Sequence, residues 1–138
     1  METTTHHIAR ATAEHDLGRV VVVDDDPDLR ELLRHVFEHA GYAVTALEDG
    51  SVALDAIAAT RPDIVVLDVE MPRMNGWQVL EAVRADTATA ELPVILCTVR
   101  STSDDVIRGW SLGCDEYVTK PFDTDELLGK VAAVLGRP

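Results

Sequence analysis

The residues able to do chemistry in this chain stand where its apolar runs end. Val20-Val21-Val22-Val23 runs into Asp24-Asp25-Asp26, Ile64-Val65-Val66-Leu67 into Asp68, Val94-Ile95-Leu96-Cys97 into Thr98, and Tyr117-Val118-Thr119 into Lys120. An unpaired carboxylate is costly to bury, so acids at such positions are either solvated at a rim or held there for a purpose. Carboxylates gathered within a few ångströms repel by roughly 4 kcal/mol per close pair at an effective dielectric near 20, and the cluster therefore invites a cation. An all-oxygen site with room for water suits Mg²⁺. With a hydroxyl and an ammonium added, these are the parts that hold a phosphoryl group during transfer.

Bringing them together is the task of the elements between them. Short runs rich in β-branched residues predict strands buried on both faces, the habit of a parallel sheet covered by helices. After the first strand, Pro27 predicts a helix start, with Asp26 or Asp25 as cap. Leu29, Leu32, Leu33, Val36, Phe37 and Ala40 recur at helical spacing before Gly41. Tyr42–Leu47 is a further strand, and Val52, Ala53, Ala56 and Ile57 form a short helix that ends before Arg61-Pro62. A loop from Met71 to Gly76 leads to a helix with Trp77, Leu80, Val83 and Val79 inwards. Ser103 or Asp104 opens another, running through Val106, Ile107 and Trp110 to Gly113. Asp123 to Glu126 starts the last, which carries Leu127, Leu128, Val131, Val134 and Leu135. The order is βα five times, and right-handed crossovers then predict an α/β fold, a doubly wound five-stranded parallel sheet; the strand order taken for it is the flavodoxin-like 2-1-3-4-5. Ligands of such sheets sit outside the carboxyl ends of the strands at the switch point between strands one and three, where Asp24, Asp25 and Asp68 meet.

Composition narrows the function classes. The 138 residues predict one domain, and the 46% hydrophobic content suffices for its core. A formal charge of −13, from 25 acidic and 12 basic residues, repels the phosphate backbone and argues against nucleic-acid binding by this chain. No apolar run approaches a membrane span, and the N-terminus lacks the basic and apolar regions of a signal peptide, so the chain reads as cytoplasmic. Residues 1–17 are polar and aperiodic, a disordered leader, with the domain over 18–138. His6 and His7 make a slight metal claim within it; His35 and His39, four apart, could chelate, but on an acidic solvated helix face. Cys97 and Cys114 read as buried reduced thiols rather than a disulfide or metal knuckle.

The motifs Val-Val-Val-Asp24-Asp25-Asp-Pro, Val-Leu-Asp68-Val-Glu-Met-Pro72-Arg-Met-Asn-Gly76, Leu-Cys-Thr98 and Gly113-Cys-Asp-Glu-Tyr117-Val-Thr-Lys120-Pro121-Phe122 occur in this order, each at a strand end. In this the chain resembles the receiver domain of bacterial two-component response regulators, from about Arg19 to Gly136. The resemblance implies that Asp68 accepts a phosphoryl group from a histidine kinase or histidine phosphotransfer protein. It implies that Asp24 and Asp25 hold Mg²⁺, with Asp25 the direct ligand, and that the Glu70 backbone carbonyl completes the metal site. Lys120 would pair with the phosphoryl group, its bond to Pro121 being cis. Thr98 and Tyr117 would form a switch pair that passes the change to the surface of the fourth helix, fifth strand and fifth helix, and so to a downstream protein target. A homodimer through that surface is a further implication, although Val131 and Leu135 serve a core equally well. Such a protein catalyses only its own phosphorylation and dephosphorylation and is not an enzyme acting on a metabolite.

Rival readings remain beside it. Asp26 reads as a helix cap, Trp110 as packing, Tyr117 as a half-buried sheet aromatic, and Trp77 as a natural reporter of Mg²⁺. A receiver-like module that binds its partner regardless of phosphorylation is the main alternative. An aspartyl phosphatase would need a second aspartate where Glu70 stands, and a flavodoxin would need a phosphate cradle where the first loop is acidic. Val99, where the family usually has Ala or Gly, predicts a narrowed approach to Asp68 and slower phosphorylation or hydrolysis. Arg100 and Glu70, two residues after Thr98 and Asp68, are expected to pair across the crevice mouth and exclude attacking water. With the chain stopping at Gly136-Arg-Pro138, the expectation is a stand-alone regulator, as adaptor or phosphorelay shuttle, or a piece of a longer one.

Overall fold

A computed structural model of the chain describes residues 17–136. Residues 1–16 of the predicted leader, His6 and His7 among them, lie outside the described residues, whereas Leu17, assigned to the leader, packs against the core and donates its N–H to the Gly41 carbonyl (3.2 Å). Strands β1 (Gly18–Val23), β2 (Tyr42–Leu47), β3 (Ile64–Leu67), β4 (Val94–Thr98) and β5 (Glu116–Thr119) alternate with helices α1 (Pro27–Ala40), α2 (Ala53–Thr60), α3 (Gly76–Ala85), α4 (Ser103–Ser111) and α5 (Thr124–Val134). All pairings are parallel and the sheet order is β2-β1-β3-β4-β5, as the sequence predicts.

Alternation along the strands builds two cores. Val21, Val23, Val65, Leu67, Val94 and Leu96 face one layer, which is filled by Ala53 and Ile57 of α2 and by Trp77, Val79, Leu80 and Val83 of α3. Val20, Val22, Ile64, Val66, Ile95 and Cys97 face the other, filled by Leu33 and Phe37 of α1 and Leu127 and Val131 of α5. Val131 and Leu135 thus serve the core, and both cysteines are buried and free.

Register carries the chemistry to one rim. Val23 is level with Leu67, and Leu67 with Leu96, so the residues that follow β1 and β3 emerge side by side. Helix starts are well specified there. Asp26 accepts from the backbone N–H groups of Asp28 (3.0 Å) and Leu29 (3.4 Å), and Asn75 and Gln78 close a capping box on α3. Asp26 is therefore the cap of α1. Thr102, rather than Ser103 or Asp104, caps α4 by accepting from Asp105 N–H (3.1 Å). At the opposite rim Arg84 donates to the carbonyls of Leu92 (2.6 Å), Ala90 (3.2 Å) and Gly113 (2.9 Å) and pairs with Asp115 (3.0 Å).

Some inward expectations fail. Leu32 and Val52 are exposed, and on α4 so are Ile107 (61%) and Trp110 (48%), which was expected to pack. Helical spacing marks a stripe wider than the surface the sheet has to cover. A short outer helix such as α4 buries only the line of residues directly against the strands.

Candidate functional site

At the switch point Asp24 and Asp68 lie in the rim itself, buried, while Asp25 is exposed beside them. One carboxylate oxygen from each of the three comes within 4.8 Å of the others. Lys120 Nζ reaches in from the end of β5 and donates to Asp24 Oδ2 (2.8 Å) and Asp68 Oδ2 (2.9 Å). The Lys120–Pro121 peptide bond that begins this loop is cis. The other oxygen of each carboxylate also has a partner: Asp24 Oδ1 accepts from Asp26 N–H (2.9 Å) and Asp68 Oδ1 from Glu70 N–H (3.3 Å).

Burial raises the pKa of Asp24, against the pull of the Lys120 ammonium that bonds it. For Lys120, burial works to lower the pKa, but the hydrogen bonds to Asp24 and Asp68 outweigh it and the net shift is upward, so the side chain is an ammonium at neutral pH. Three carboxylates and one ammonium leave two negative charges facing a partly open crevice. That balance, with oxygen donors only, fits a divalent hard cation. Among the described residues this is the one cluster of metal-capable side chains. His35 and His39 are not part of any such group; His35 Nε2 lies 3.3 Å from Glu31 on its own helix.

Thr98 ends β4 fully buried, its Oγ1 accepting from Arg100 N–H (3.2 Å). Tyr117, half-buried on β5, donates its hydroxyl to the Arg100 carbonyl (2.6 Å). The β4–α4 loop is thus held from both sides by the two residues expected to form a switch. Burial, with Asp105 nearby, pushes the Tyr117 phenol up to about 12, so it stays a donor. Arg100 also makes the expected pair with Glu70 (Nε to Oε2, 3.4 Å) and a second with Asp105 (3.1 Å). Val99 is exposed at the same loop.

Two contacts around the site had no local signal in the sequence. Arg108 of α4 lies over the Trp77 ring, 4.6 Å from its centroid. Asp49, in what reads from sequence only as the turn after β2, is a buried carboxylate paired with Arg73 of the β3–α3 loop. The partners are 24 residues apart, with nothing in either segment's spacing to announce the contact.

Comparison with known proteins agrees with this geometry. Residues 20–132 match the family profile of the response regulator receiver domain. Response regulator MprA of Mycolicibacterium vanbaalenii is 43% identical over 119 residues, which cover 86% of this chain and 51% of that protein. DNA-binding response regulator MtrA of Mycolicibacterium smegmatis is 42% identical with the same coverage. The chain therefore spans about half the length of these relatives. Among solved structures, the signal receiver domain of a signal transduction histidine kinase from Syntrophus aciditrophicus superposes with a TM-score of 0.80 at 33% identity, over 86% of this chain and 90% of that one. By its profile, its relatives and its fold, the chain belongs to the response regulator receiver domain family.

Proposed function

We propose that this domain is a phosphoacceptor: Asp68 takes a phosphoryl group from the phosphohistidine of a histidine kinase or histidine phosphotransfer protein, in a Mg²⁺-dependent reaction. The observation that carries the reading is Lys120 Nζ set between Asp24 and Asp68, with Thr98 buried beside them and Asp25 open to solvent. An Asp68 carboxylate oxygen attacks phosphorus as the P–N bond to the donor imidazole breaks, and that bond's electron pair stays on the ring nitrogen. Lys120 exchanges its carboxylate contact for one to a phosphoryl oxygen, which keeps the new charge paired. Asp24, Asp25 and Asp68, with the Glu70 carbonyl, would hold Mg²⁺, which neutralises charge on the phosphoryl oxygens. In hydrolysis a water attacks phosphorus as the P–O bond to Asp68 breaks, releasing inorganic phosphate and leaving the bond's electron pair on the Asp68 carboxylate. The domain acts on its own side chain and is not an enzyme for an external metabolite.

The signal follows from Thr98. Turning its hydroxyl toward a phosphoryl oxygen withdraws the acceptor of Arg100 N–H, and the loop it releases is the one Tyr117 grips. The surface of α4, β5 and α5 then changes for a downstream protein. No helix among the described residues is long and apolar enough to cross a membrane; a cytoplasmic location is part of this proposal, as is the absence of nucleic-acid contact by this segment.

Intact mass after incubation with acetyl phosphate, with and without Mg²⁺, tests the reading. A single Mg²⁺-dependent phosphoryl adduct, lost in Asp68→Asn, is the expected result. No adduct from acetyl phosphate or a phosphorylated histidine phosphotransfer protein, with no Mg²⁺ binding, would leave a phosphorylation-independent binding module.

A further inference from the structure

The β3–α3 loop, which carries Glu70, is secured at its ends. Asp68 N–H donates to Val23 O (2.9 Å), Gly76 N–H to Val69 O (2.8 Å), and Asn75 caps α3. Its middle has little backbone support, the Met74 N–H to Pro72 O contact (2.7 Å), and Arg73 sits there in the left-handed region at φ 66°. A non-glycine residue holds that conformation only where its surroundings insist on it.

The surroundings that insist lie in the β2–α2 loop. Asp49 is 4% exposed, anchored by Ser51 through its N–H (2.8 Å) and hydroxyl, and it binds the Arg73 guanidinium. Gly50 packs so closely under the Met74 carbonyl that a Cβ there would stand 2.1 Å from the oxygen. Above this loop, Asp24 N–H bonds Leu47 O (3.0 Å), so the same segment borders the site's other acidic strand end. Arg73 and Ser51 hold the Asp49 carboxyl down at about 2, well below its usual range, so the pair is charged at every physiological pH. Neither Asp49 nor Arg73 touches Asp24, Asp68 or Lys120, and the phosphoryl chemistry alone assigns them nothing.

We propose that Asp49 and Arg73 are positioning residues for the metal site: their ion pair straps the β3–α3 loop to the β2–α2 loop, fixes the path of the chain from Glu70 to Met74, and thereby sets Mg²⁺ affinity. The inference rests on the Mg²⁺ reading above. Groups that orient a ligand without touching the metal commonly change affinity on the order of 10-fold when removed, and a loop carbonyl that must be held in place is such a case.

The test is calorimetric titration of the chain with MgCl₂, together with amide hydrogen exchange of residues 70–74 in metal-free buffer. Arg73→Ala is expected to weaken Mg²⁺ binding about 10-fold and to speed exchange in the loop, and Arg73→Lys to restore most of both. Arg73→Gly relieves the left-handed residue but removes the strap. Binding as weak as in Arg73→Ala supports the ion pair, and wild-type binding would overturn it in favour of backbone conformation alone. Asp49→Asn keeps the cap for Ser51 and loses the charge, and combined with Arg73→Ala it is expected to add no further weakening. Unchanged affinity and exchange in Arg73→Ala would overturn the proposal. If the unaltered chain binds no Mg²⁺, the metal reading fails and the affinity claim with it, whereas faster exchange in the variants would still show the strap itself.

Discussion

Helix α1 and helix α4 flank the same crevice and are attached to the sheet in opposite ways. Helix α1 has 14 residues, a proline start, an aspartate cap and Gly41 in the left-handed region at its end, and it drives Leu33 and Phe37 fully into the core. Helix α4 has nine residues and buries only Gly109. It is held instead by polar and ring contacts at its edges: Thr102 and Asp105 at its start, Arg108 on Trp77, and Tyr117 reaching the loop before it. One side is anchored by apolar area, which no local charge change can undo, and the other by directional contacts that one new charge can trade. The proposed phosphoacceptor site, with carboxylates that stay in place while the signal moves, would be well served by that division.

Stability should separate the two sides most. Phe37→Ala, opening a cavity under α1, is expected to cost about 3–5 kcal/mol, and Ile107→Ala on α4 to stay within about 0.5 kcal/mol, both read by urea unfolding. Comparable losses would erase the distinction. The next effect belongs to the fixed side and to acid. With a carboxyl at about 2 against an ordinary 3.8, Asp49 stabilises the fold above pH 4 and loses that contribution as pH falls toward 2. The stability gap between the wild type and Asp49→Asn should therefore be constant above pH 4 and close below it in pH-dependent unfolding.

Effects on the mobile side are smaller. The pair of Arg100 with Glu70 spans the crevice mouth with both side chains partly exposed, 41% and 55%. An exposed pair is worth at most about 1 kcal/mol, so Arg100→Ala and Glu70→Ala should each shorten the phosphoryl lifetime by no more than about fivefold. Equal lifetimes in all three proteins would show that the pair does not exclude water. Gly109→Ala probes the packing between α4 and β5. Its Cβ would meet Tyr117 Cδ2 at 2.8 Å and Leu96 Cδ1 at 3.0 Å, while the helix gains about 1 kcal/mol in propensity. Overpacking of this kind costs about 1–3 kcal/mol, so a net loss of up to about 2 kcal/mol is expected in urea unfolding, and proton NOEs from the Tyr117 ring to Leu96 should weaken as the ring is displaced.

The strand runs and their terminal Asp24, Asp68, Thr98 and Lys120 were legible because buried parallel strands are written as apolar blocks, and the switch point then brings their ends together. The parallel sheet follows from those blocks, while the gathering of the site follows only once the flavodoxin-like strand order is adopted. The Arg100–Glu70 contact was also legible, from opposite charges two residues past Asp68 and Thr98 at the ends of adjacent strands, although the register is offset by one and the long side chains make up the difference. What stayed hidden depends on tertiary detail. Asp49 and Arg73 sit in two loops whose facing has no periodicity, Arg108 finds Trp77 across helices, and the exposure of Ile107 and Trp110 reflects how little of α4 the sheet needs.

The division between a fixed and a movable half is tested most directly by amide hydrogen exchange of the chain before and after phosphorylation with acetyl phosphate and Mg²⁺. Altered protection is expected from Thr98 through α4 and β5, with α1 and β2 unchanged. Changes spread evenly over both halves, or confined to α1, would contradict it.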